Sequence, residues 1–596
     1  MGAFILTRAN LQQRDPTVEA RAVQSLAEQG FVEPRLITLG NWRARVFPKL
    51  NGTEPTIVHG RGDDCAFCVG TLLYDDLTGV DALKCLLTKF APGETTYSRA
   101  RGIFCAVLQK QGVCCLLTDA VGQFKVYWTA DWDLVSSSFV AALAATSTRT
   151  PVPQGIYEYV FEGATFGEHT VVREIGQVPG ACQVELGKPV RIRAIRNTIP
   201  VDVSSAPARQ QEEDLLGALK DWFRMIARAF DGRVDMALSG GYDSRLMLAL
   251  LRAVDVTPRL HVYGAASDDD VRIAKLIAEG ERLQLNHIDK KALMPAATRD
   301  VRASARRNFL AFDGYPVDGI FDTGADLATR RERSTAGHVA LNGGGGEIFR
   351  NFFYLPNRTM SARALLWSFY GQFDPTWCTQ RLNLADYYES LTASLTASID
   401  APPGKPLSRL QVEALYPYFR CRFWTGRNGS VNSRFGHSLT PFLEADLIAR
   451  ALRIPLRRKN HGRFESALIR ASDASLAAYP SAYGHDFSGA PSVRRHVRDY
   501  LTIARPPWMR RLSFRLRHRM RRVSPALAAR LDEVRSGVDA AFPCMREFFH
   551  MDRVTEPQQL GRACTLEYLF AWRPGGISGA ARQALPRLQS ARRCKT

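Results

Sequence analysis

The stretch Ala237-Leu238-Ser239-Gly240-Gly241-Tyr242-Asp243-Ser244-Arg245 decides how the rest of the chain is read. Before it, Val234–Leu238 is a short apolar run with the character of a strand, and after it Arg245–Val254 reads as a helix. Two glycines turn the chain between them. Consecutive backbone N–H groups in such a turn can point at one anion, and the N-terminus of the following helix adds partial positive charge. Glycine lets the backbone approach a phosphate closely. The hydroxyls of Ser239 and Ser244 add donors, and Asp243 can cap the helix or hold a magnesium ion. A strand–turn–helix corner capped by Asp and Ser is the plainer alternative. The string is not a Walker A loop, because the GxxxxGK[ST] pattern and its lysine are absent.

The alternation continues on both sides. Leu215, Leu219, Trp222, Ile226 and Phe230 recur at helical spacing, Arg259–Gly264 and Leu285–Asp289 read as strands, and Asp268–Glu279 reads as a helix. Strands alternating with helices predict βαβ units and a parallel sheet. About a hundred residues on comes Leu341-Asn342-Gly343-Gly344-Gly345-Gly346-Glu347-Ile348-Phe349, with Val339–Leu341 a candidate strand before it. Residues 360–480 are helix-rich. Residues 1–200 have a different texture, with short β-like runs (Cys65–Leu73, Ile103–Leu108, Val113–Thr118, Val126–Trp128, Cys182–Leu186) separated by turns. The Pro-, Ser- and Gln-containing stretch Thr198–Gln211 divides the two textures. The expected organisation is residues 1–205, 206–485 and a basic extension over 486–596.

The Ser239–Ser244 string resembles the pyrophosphate loop of the N-type ATP pyrophosphatases, and the wider pattern resembles the asparagine synthetase superfamily. His261-Val262-Tyr263-Gly264 lies where that family contacts adenine, and Asp270-Val271-Arg272-Ile273-Ala274 opens the next helix as in asparagine synthetases. Leu341–Phe349 is similar to the family string Ser-Gly-Glu-Gly-Ala-Asp-Glu-Leu-Phe, with Glu347 on the family glutamate but Gly343 and Gly346 where the family has carboxylates. Leu439–Glu444 and His461–Arg470 resemble later family segments. The resemblance implies an α/β chain: an Ntn-type α+β sandwich, then a PP-loop (HUP-like) parallel-sheet synthetase domain, then a helical extension. It implies ATP and Mg2+ as cofactors. Leu238, Ser239, Gly240, Gly241, Asp243, Ser244, Tyr263, Gly264, Gly344 and Gly345 would bind the nucleotide. Asp243 and Glu347 would hold the metal. Glu347 with Lys459 or Arg463 would be catalytic, the cation stabilising charge as the amide forms.

Residues 1–200 resemble the class II glutamine amidotransferase domain, on Arg101–Phe104, Leu117–Asp119, Gly122, Val126-Tyr127, Phe166-Gly167, Arg173–Ile175 and Val178–Gly180. An active domain of that class uses a cysteine freed by loss of Met1, with its own α-amine as base. Position 2 is Gly2 and the first cysteine is Cys65, so glutamine hydrolysis is not expected. Relatives that lack this step include lasso peptide cyclases and β-lactam synthetases, in which an internal amine attacks an acyl-adenylate with the benefit of proximity. The expected activity is therefore lasso-type macrolactam formation on a peptide carrying an Asp or Glu carboxylate. The alternatives are a ligase using free ammonia or a small amine, and a non-catalytic binding protein. A precursor-processing protease and an exporter are the partners the cyclase reading implies.

With 596 residues and 45% hydrophobic composition the chain can build several cores. No apolar run is long enough for a membrane span or a secretory signal, and a cytoplasmic location is expected. Cys65 and Cys68 make a lone CxxC without the second pair that zinc sites need. The net charge of +20 favours acidic partners. Arg494–Arg522 holds eleven arginines and one acid, with Trp508, Leu512, Leu516 and Met520 every four residues. That helix suits an anionic membrane surface or an acidic peptide, and nucleic acid is not the expected partner; the plainer alternative is a helix packed by its apolar stripe with its arginines in water.

Overall fold

The computed structural model describes residues 2–93, 99–195, 199–289, 301–321, 326–520, 525–539 and 541–575. Two antiparallel sheets come first. One has the spatial order Ile175–Gln177, Tyr127–Thr129, Leu134–Ser136, Ala3–Arg8, Trp42–Phe47, Arg35–Leu39. The other runs Arg191–Ala194, Cys182–Glu185, Val113–Thr118, Ala100–Lys110, Cys65–Tyr74, Thr56–His59, with Leu77–Thr78 folded back onto Cys65–Tyr74. Their facing sides interdigitate through Phe4, Leu6, Trp42 and Val46 on one and Phe67, Val69, Ile103 and Val107 on the other. The helices Pro16–Glu28 and Phe139–Ala145 cover the first sheet's outer side, and Gly79–Lys89 covers the second's. Helix cover on both sides makes a four-layer αββα sandwich. It also explains why Cys65–Tyr74 is an unbroken apolar run instead of an alternating one: all ten residues are buried. Cys65 and Cys68 point to opposite faces of this strand, into different cores, and cannot share a metal.

The second half is built on five strands, all paired in parallel: β1 (Val234–Ala237), β2 (Arg259–Tyr263), β3 (Leu285–Ile288), β4 (Val339–Leu341) and β5 (His437–Leu439). Their spatial order is β3-β2-β1-β4-β5. Helices α1 (Ala208–Ala229), α2 (Tyr242–Arg252) and α3 (Asp269–Gly280) pack on this sheet, followed by α4 (Arg463–Ser472), α5 (Val493–Ala504), α6 (Pro507–Met520) and α7 (Pro557–Ala571). The apolar stripe read in residues 215–230 is the buried face of α1, with Trp222 donating its indole N–H to the Pro441 carbonyl at 3.1 Å. The chain thus combines antiparallel sheets, a parallel sheet and many helices in a mixed α/β fold. Because β2 lies on one side of β1 and β4 on the other, the order reverses at β1. In open parallel sheets that reversal leaves a crevice at the carboxyl ends of the two strands, where ligands bind.

Buried cations join the two halves. Lys49 donates to the carbonyls of Gly70, Ser433 and Gly436 at 2.7–3.1 Å, and burial brings its ammonium down to about 7. Arg422 reaches the Val121 carbonyl at 2.8 Å, and Arg427 donates to the Tyr127 hydroxyl across the joint while also holding the carbonyls of Asp313 and Tyr315 at 2.6 and 3.2 Å. Helix α7 is buried nearly throughout, so this part of the basic extension is core. Its Arg562 donates to Val317 O at 2.7 Å and to Val160 O and Phe161 O at 3.2 and 3.1 Å. Arg562→Met keeps much of the volume but strands three carbonyls. The expected cost is about 3 kcal/mol, read as an earlier denaturant midpoint; an unchanged midpoint would show that the linkage is dispensable.

Candidate functional site

The two glycine loops leave the carboxyl ends of β1 and β4, the strands that flank the reversal. The first, Leu238–Gly241, runs into α2. It is braced from within: Ser239 N–H donates to Ser244 Oγ at 3.1 Å, Gly241 N–H to Ser239 Oγ at 3.2 Å, and the two hydroxyls lie 3.0 Å apart. The Gly240 N–H donates to the Asp270 carboxylate at the start of α3, at 2.8 Å. A negatively charged acceptor therefore already sits on one of the loop's donors. The first-turn amides of α2 have no partner within the helix.

The second loop meets the first. A side chain on Gly346 would place its Cβ 2.3 Å from Asp243 Oδ1, and one on Gly345, which is left-handed at φ +99°, would strike Leu443 at 2.5 Å. Gly343 faces Asp243 at van der Waals distance. The absence of a carboxylate at Gly346 is thus matched by a loop packed too closely against α2 to hold one, whereas at Gly343 the packing leaves ordinary contact distance. Gly344 is fixed by its N–H to Asn342 Oδ1 at 2.9 Å.

Arg350 organises this junction. It follows the 3-10 turn Gly346–Phe349. Its Nη2 donates to both oxygens of Asp243 at 2.8 Å, its Nε lies 2.8 Å from Glu465 of α4, and it lies 3.8 Å from Glu347. Tyr416 donates to the other oxygen of Glu347. Burial pushes Asp243 up to about 6, against the pull of Arg350 and with the push of Glu347. Burial, then the charge of Asp243, holds Glu465 well above the usual carboxylate range. Arg350 is held well above its usual range: burial opposes its charge, but Asp243 and Glu465 outweigh it. Asp243 and Glu347, which the resemblance assigns to Mg2+, instead share this guanidinium. Among the described residues no three His, Cys, Asp or Glu side chains form a metal-ligating group.

A cavity of about 350 Å³ opens beside Arg350 and Glu347, with Lys459, His461 and Arg495 in its wall. Lys459 is fully buried and donates to Glu413 at 2.5 Å, and burial lowers its ammonium despite that partner. His461 is held through Nδ1 by Asp499 at 3.1 Å, and burial keeps its ring below the ordinary range. Arg463 is elsewhere: it is exposed at the start of α4 and meets His496 of α5 at 2.7 Å. Tyr263 ends β2 and Gly264 follows it, with the Gly264 carbonyl 3.0 Å from His287 Nε2. Tyr242, at the start of α2, stacks on Phe487 at 4.1 Å with its hydroxyl 3.1 Å from His485. Arg350, Glu465, Tyr416 and His461 carry no role in the sequence reading. Arg350 is adjacent to the Glu347-Ile348-Phe349 string and could have been flagged by position, whereas Glu465 and Tyr416 are brought in only by folding.

In the N-terminal sandwich, Gly2 is wedged between Phe31 and Pro48: a Cβ there would come within 2.6 Å of both. A cysteine at this position has no room.

The sequence matches no family model and no curated protein. Several solved structures are similar in part. One is described as the allosteric regulatory enzyme of purine biosynthesis, 9% identical over 50% of this chain and 68% of that one, at a TM-score of 0.22. Another is glutamine phosphoribosylpyrophosphate amidotransferase from B. subtilis, complexed with ADP and GMP, 9% identical over 59% of this chain and 77% of that one, also at 0.22. At that score neither likeness decides fold or activity for this chain.

A carboxyl raised from 3.8 to about 6 on folding binds more protons folded than unfolded between those values. Its contribution to stability therefore falls as pH rises through that window. Asp243→Asn removes the titration. Its melting temperature relative to the parent is expected to climb from pH 4 to 6 and then level off. A difference that stays flat across the window in calorimetry contradicts the assignment.

Proposed function

We propose that the chain is an ATP-dependent amide-bond ligase that converts ATP to AMP and pyrophosphate, acting as a macrolactam cyclase of the lasso type on a peptide. The observation that supports this best is the meeting of two glycine loops at the reversal point of a parallel sheet, joined through Asp243 and Gly346. On this reading residues 206–485 form a PP-loop synthetase domain, residues 1–205 an Ntn-type amidotransferase-like domain without its nucleophile, and residues 486–596 an extension.

The leaving pyrophosphate takes the N–H and O–H donors of Ser239, Gly240, Gly241 and Ser244 in place of their present partners within the loop and Asp270, while Leu238, Tyr263 and Gly264 border the adenosine. An Asp or Glu side-chain carboxylate of the substrate attacks the α-phosphorus, and the bond to pyrophosphate breaks. Gly344 and Gly345 bring the backbone close to the resulting acyl-adenylate. The peptide's amine then attacks the acyl carbon, AMP leaves, and the proton shed by the nitrogen passes to His461, kept neutral near pH 7 by burial. Lys459, buried in the cavity wall, places positive charge near the oxygen that becomes negative. Arg463 is too far out on α4 for that task. Mg2+ does not fit the Asp243–Glu347 corner while Arg350 engages both, so no step is assigned to a metal there. Arg350 supplies the positive charge instead. With Gly2 sterically closed, the amine comes from the substrate and not from glutamine.

A second reading, a ligase of a small carboxylate or a small amine such as a β-lactam synthetase, is favoured by the cavity of about 350 Å³, near the lower limit for ligand pockets. Pyrophosphate release by the purified protein separates the two. It is expected with ATP and a peptide bearing an acidic side chain, and to fall by about a hundredfold or more in Asp243→Ala. Release with aspartate and ammonia, but with no peptide, favours the small-substrate reading. No release and no ATP binding under any condition leaves a non-catalytic binding protein. Arg350→Met frees Asp243 and Glu347, and ATP affinity in calorimetry is expected to become strongly Mg2+-dependent in the variant; equal Mg2+ dependence in parent and variant removes Arg350 from the metal's place.

A further inference from the structure

Water-facing helices normally turn charge outward and apolar groups inward. Helices α5 and α6 turn apolar groups outward as well. Among the described residues sixteen large apolar side chains are exposed, and eight of them fall between Val493 and Leu516. On α5 these are Val493, Val497, Tyr500 and Leu501, with Val493 79% and Tyr500 69% exposed; on α6 they are Trp508, Met509, Leu512 and Leu516. The inward sides are ionic. Arg495 and Asp499 are buried, 3.0 Å apart, with Asp499 also held by His461. Arg510 donates to the carbonyls of Phe353 and Thr502 at 3.0 and 2.6 Å, and Arg511 lies over the rings of Trp367 and Tyr388 at 5.6 and 5.5 Å. The arginines thus clamp both helices to the body and turn the apolar residues out. The side chains of residues 517–520, Met520 among them, and residues 521–524 lie outside the described residues.

We infer that the outer face of α5 and α6 is a docking surface for an anionic lipid bilayer. Charge selects this occupant. Arg494, Arg498 and Arg505 are exposed beside the apolar residues, and Asp499, the only acid between positions 493 and 516, is turned inward. Trp508 and Tyr500 are the amphipathic rings that favour the headgroup boundary. The two helices meet at Arg505-Pro506, so they lie along a surface instead of crossing it, and no described helix is long and apolar enough to span a membrane. Helix α5 also lines the cavity through Arg495, Asp499 and Ile503, so a docked bilayer would lie directly behind the substrate cavity.

Cosedimentation of the full chain with phosphatidylcholine vesicles, with and without phosphatidylglycerol, tests this. The parent is expected to sediment with the anionic vesicles at low salt and to stay in solution with the neutral ones. Reversing three charges (Arg494→Glu, Arg498→Glu, Arg505→Glu) is expected to weaken partition on the order of a hundredfold, at about fivefold per basic side chain near an anionic surface. Trp508→Ser with Leu512→Ser should also release the protein, whereas Leu276→Ser, an exposed leucine on α3, should not. All these positions are surface-exposed, and unchanged thermal melting confirms intact folds. Failure to bind anionic vesicles, equal binding to neutral ones, or indifference to charge reversal overturns the inference. Sedimentation velocity showing a dimer that Trp508→Ser/Leu512→Ser dissociates, with no vesicle binding, assigns the face to a second copy.

Discussion

One guanidinium holds together three parts of the chain that are far apart in sequence. Arg350 touches Asp243 at the start of α2, Glu347 on its own 3-10 turn and Glu465 at the start of α4. Three carboxylates brought so close would repel one another, and an isolated buried charge is costly in either sign. Arg350 makes the cluster tolerable, and burial completes the balance by keeping Glu465 protonated well above the usual range. The closeness of the two glycine loops depends on this. Without a positive charge at the junction, Asp243 could not sit against Gly346 while facing two other acids. The site's electrostatics and the packing of its loops are therefore one constraint.

The same residue type performs a second task across the molecule. Arg422, Arg427 and Arg562 are buried and spend their donors on backbone carbonyls that cross between segments. Arginine suits this better than lysine, because its planar fork can reach several carbonyls at once and is less strongly hydrated. Lys49 is the exception, with three carbonyls converging on one ammonium. Part of the net charge of +20 is accordingly structural and turned inward. It says less about partners than the sum suggests. The charge that does face solvent beside exposed apolar groups, on α5 and α6, is the portion with a bearing on partners.

The N-terminal sandwich and the parallel sheet communicate through these contacts. Lys49 binds carbonyls at Ser433 and Gly436, on the approach to β5, and it follows directly on the Pro48 that closes the space beside Gly2. A region that could have held a nucleophile is instead packed into the joint between the two halves.

Local pattern carried far in this chain. The alternation of apolar runs and helical stripes after residue 208 anticipated β1 to β4 and α1 to α3 to within a few residues, since period and glycine turns are written in neighbouring positions. The strands Val113–Thr118 and Val339–Leu341 were legible to the residue. The first glycine loop was legible because strand, turn and helix are contiguous there. What the sequence left open depends on residues that meet only on folding. The reversal at β1, and hence the encounter of two loops about a hundred residues apart, is a property of strand order. The choice between Lys459 and Arg463 was open because both are cations near one motif; the kink at Asn460–Gly462 between their two helices buries the first in the cavity wall and leaves the second in water. The basic helix was read correctly as amphipathic, but its sidedness was not legible. Periodicity reports that two faces differ, and only the tertiary structure decides that Arg495, Arg510 and Arg511 turn to Asp499, carbonyls and rings of the body while the apolar residues turn out beside Arg494 and Arg498.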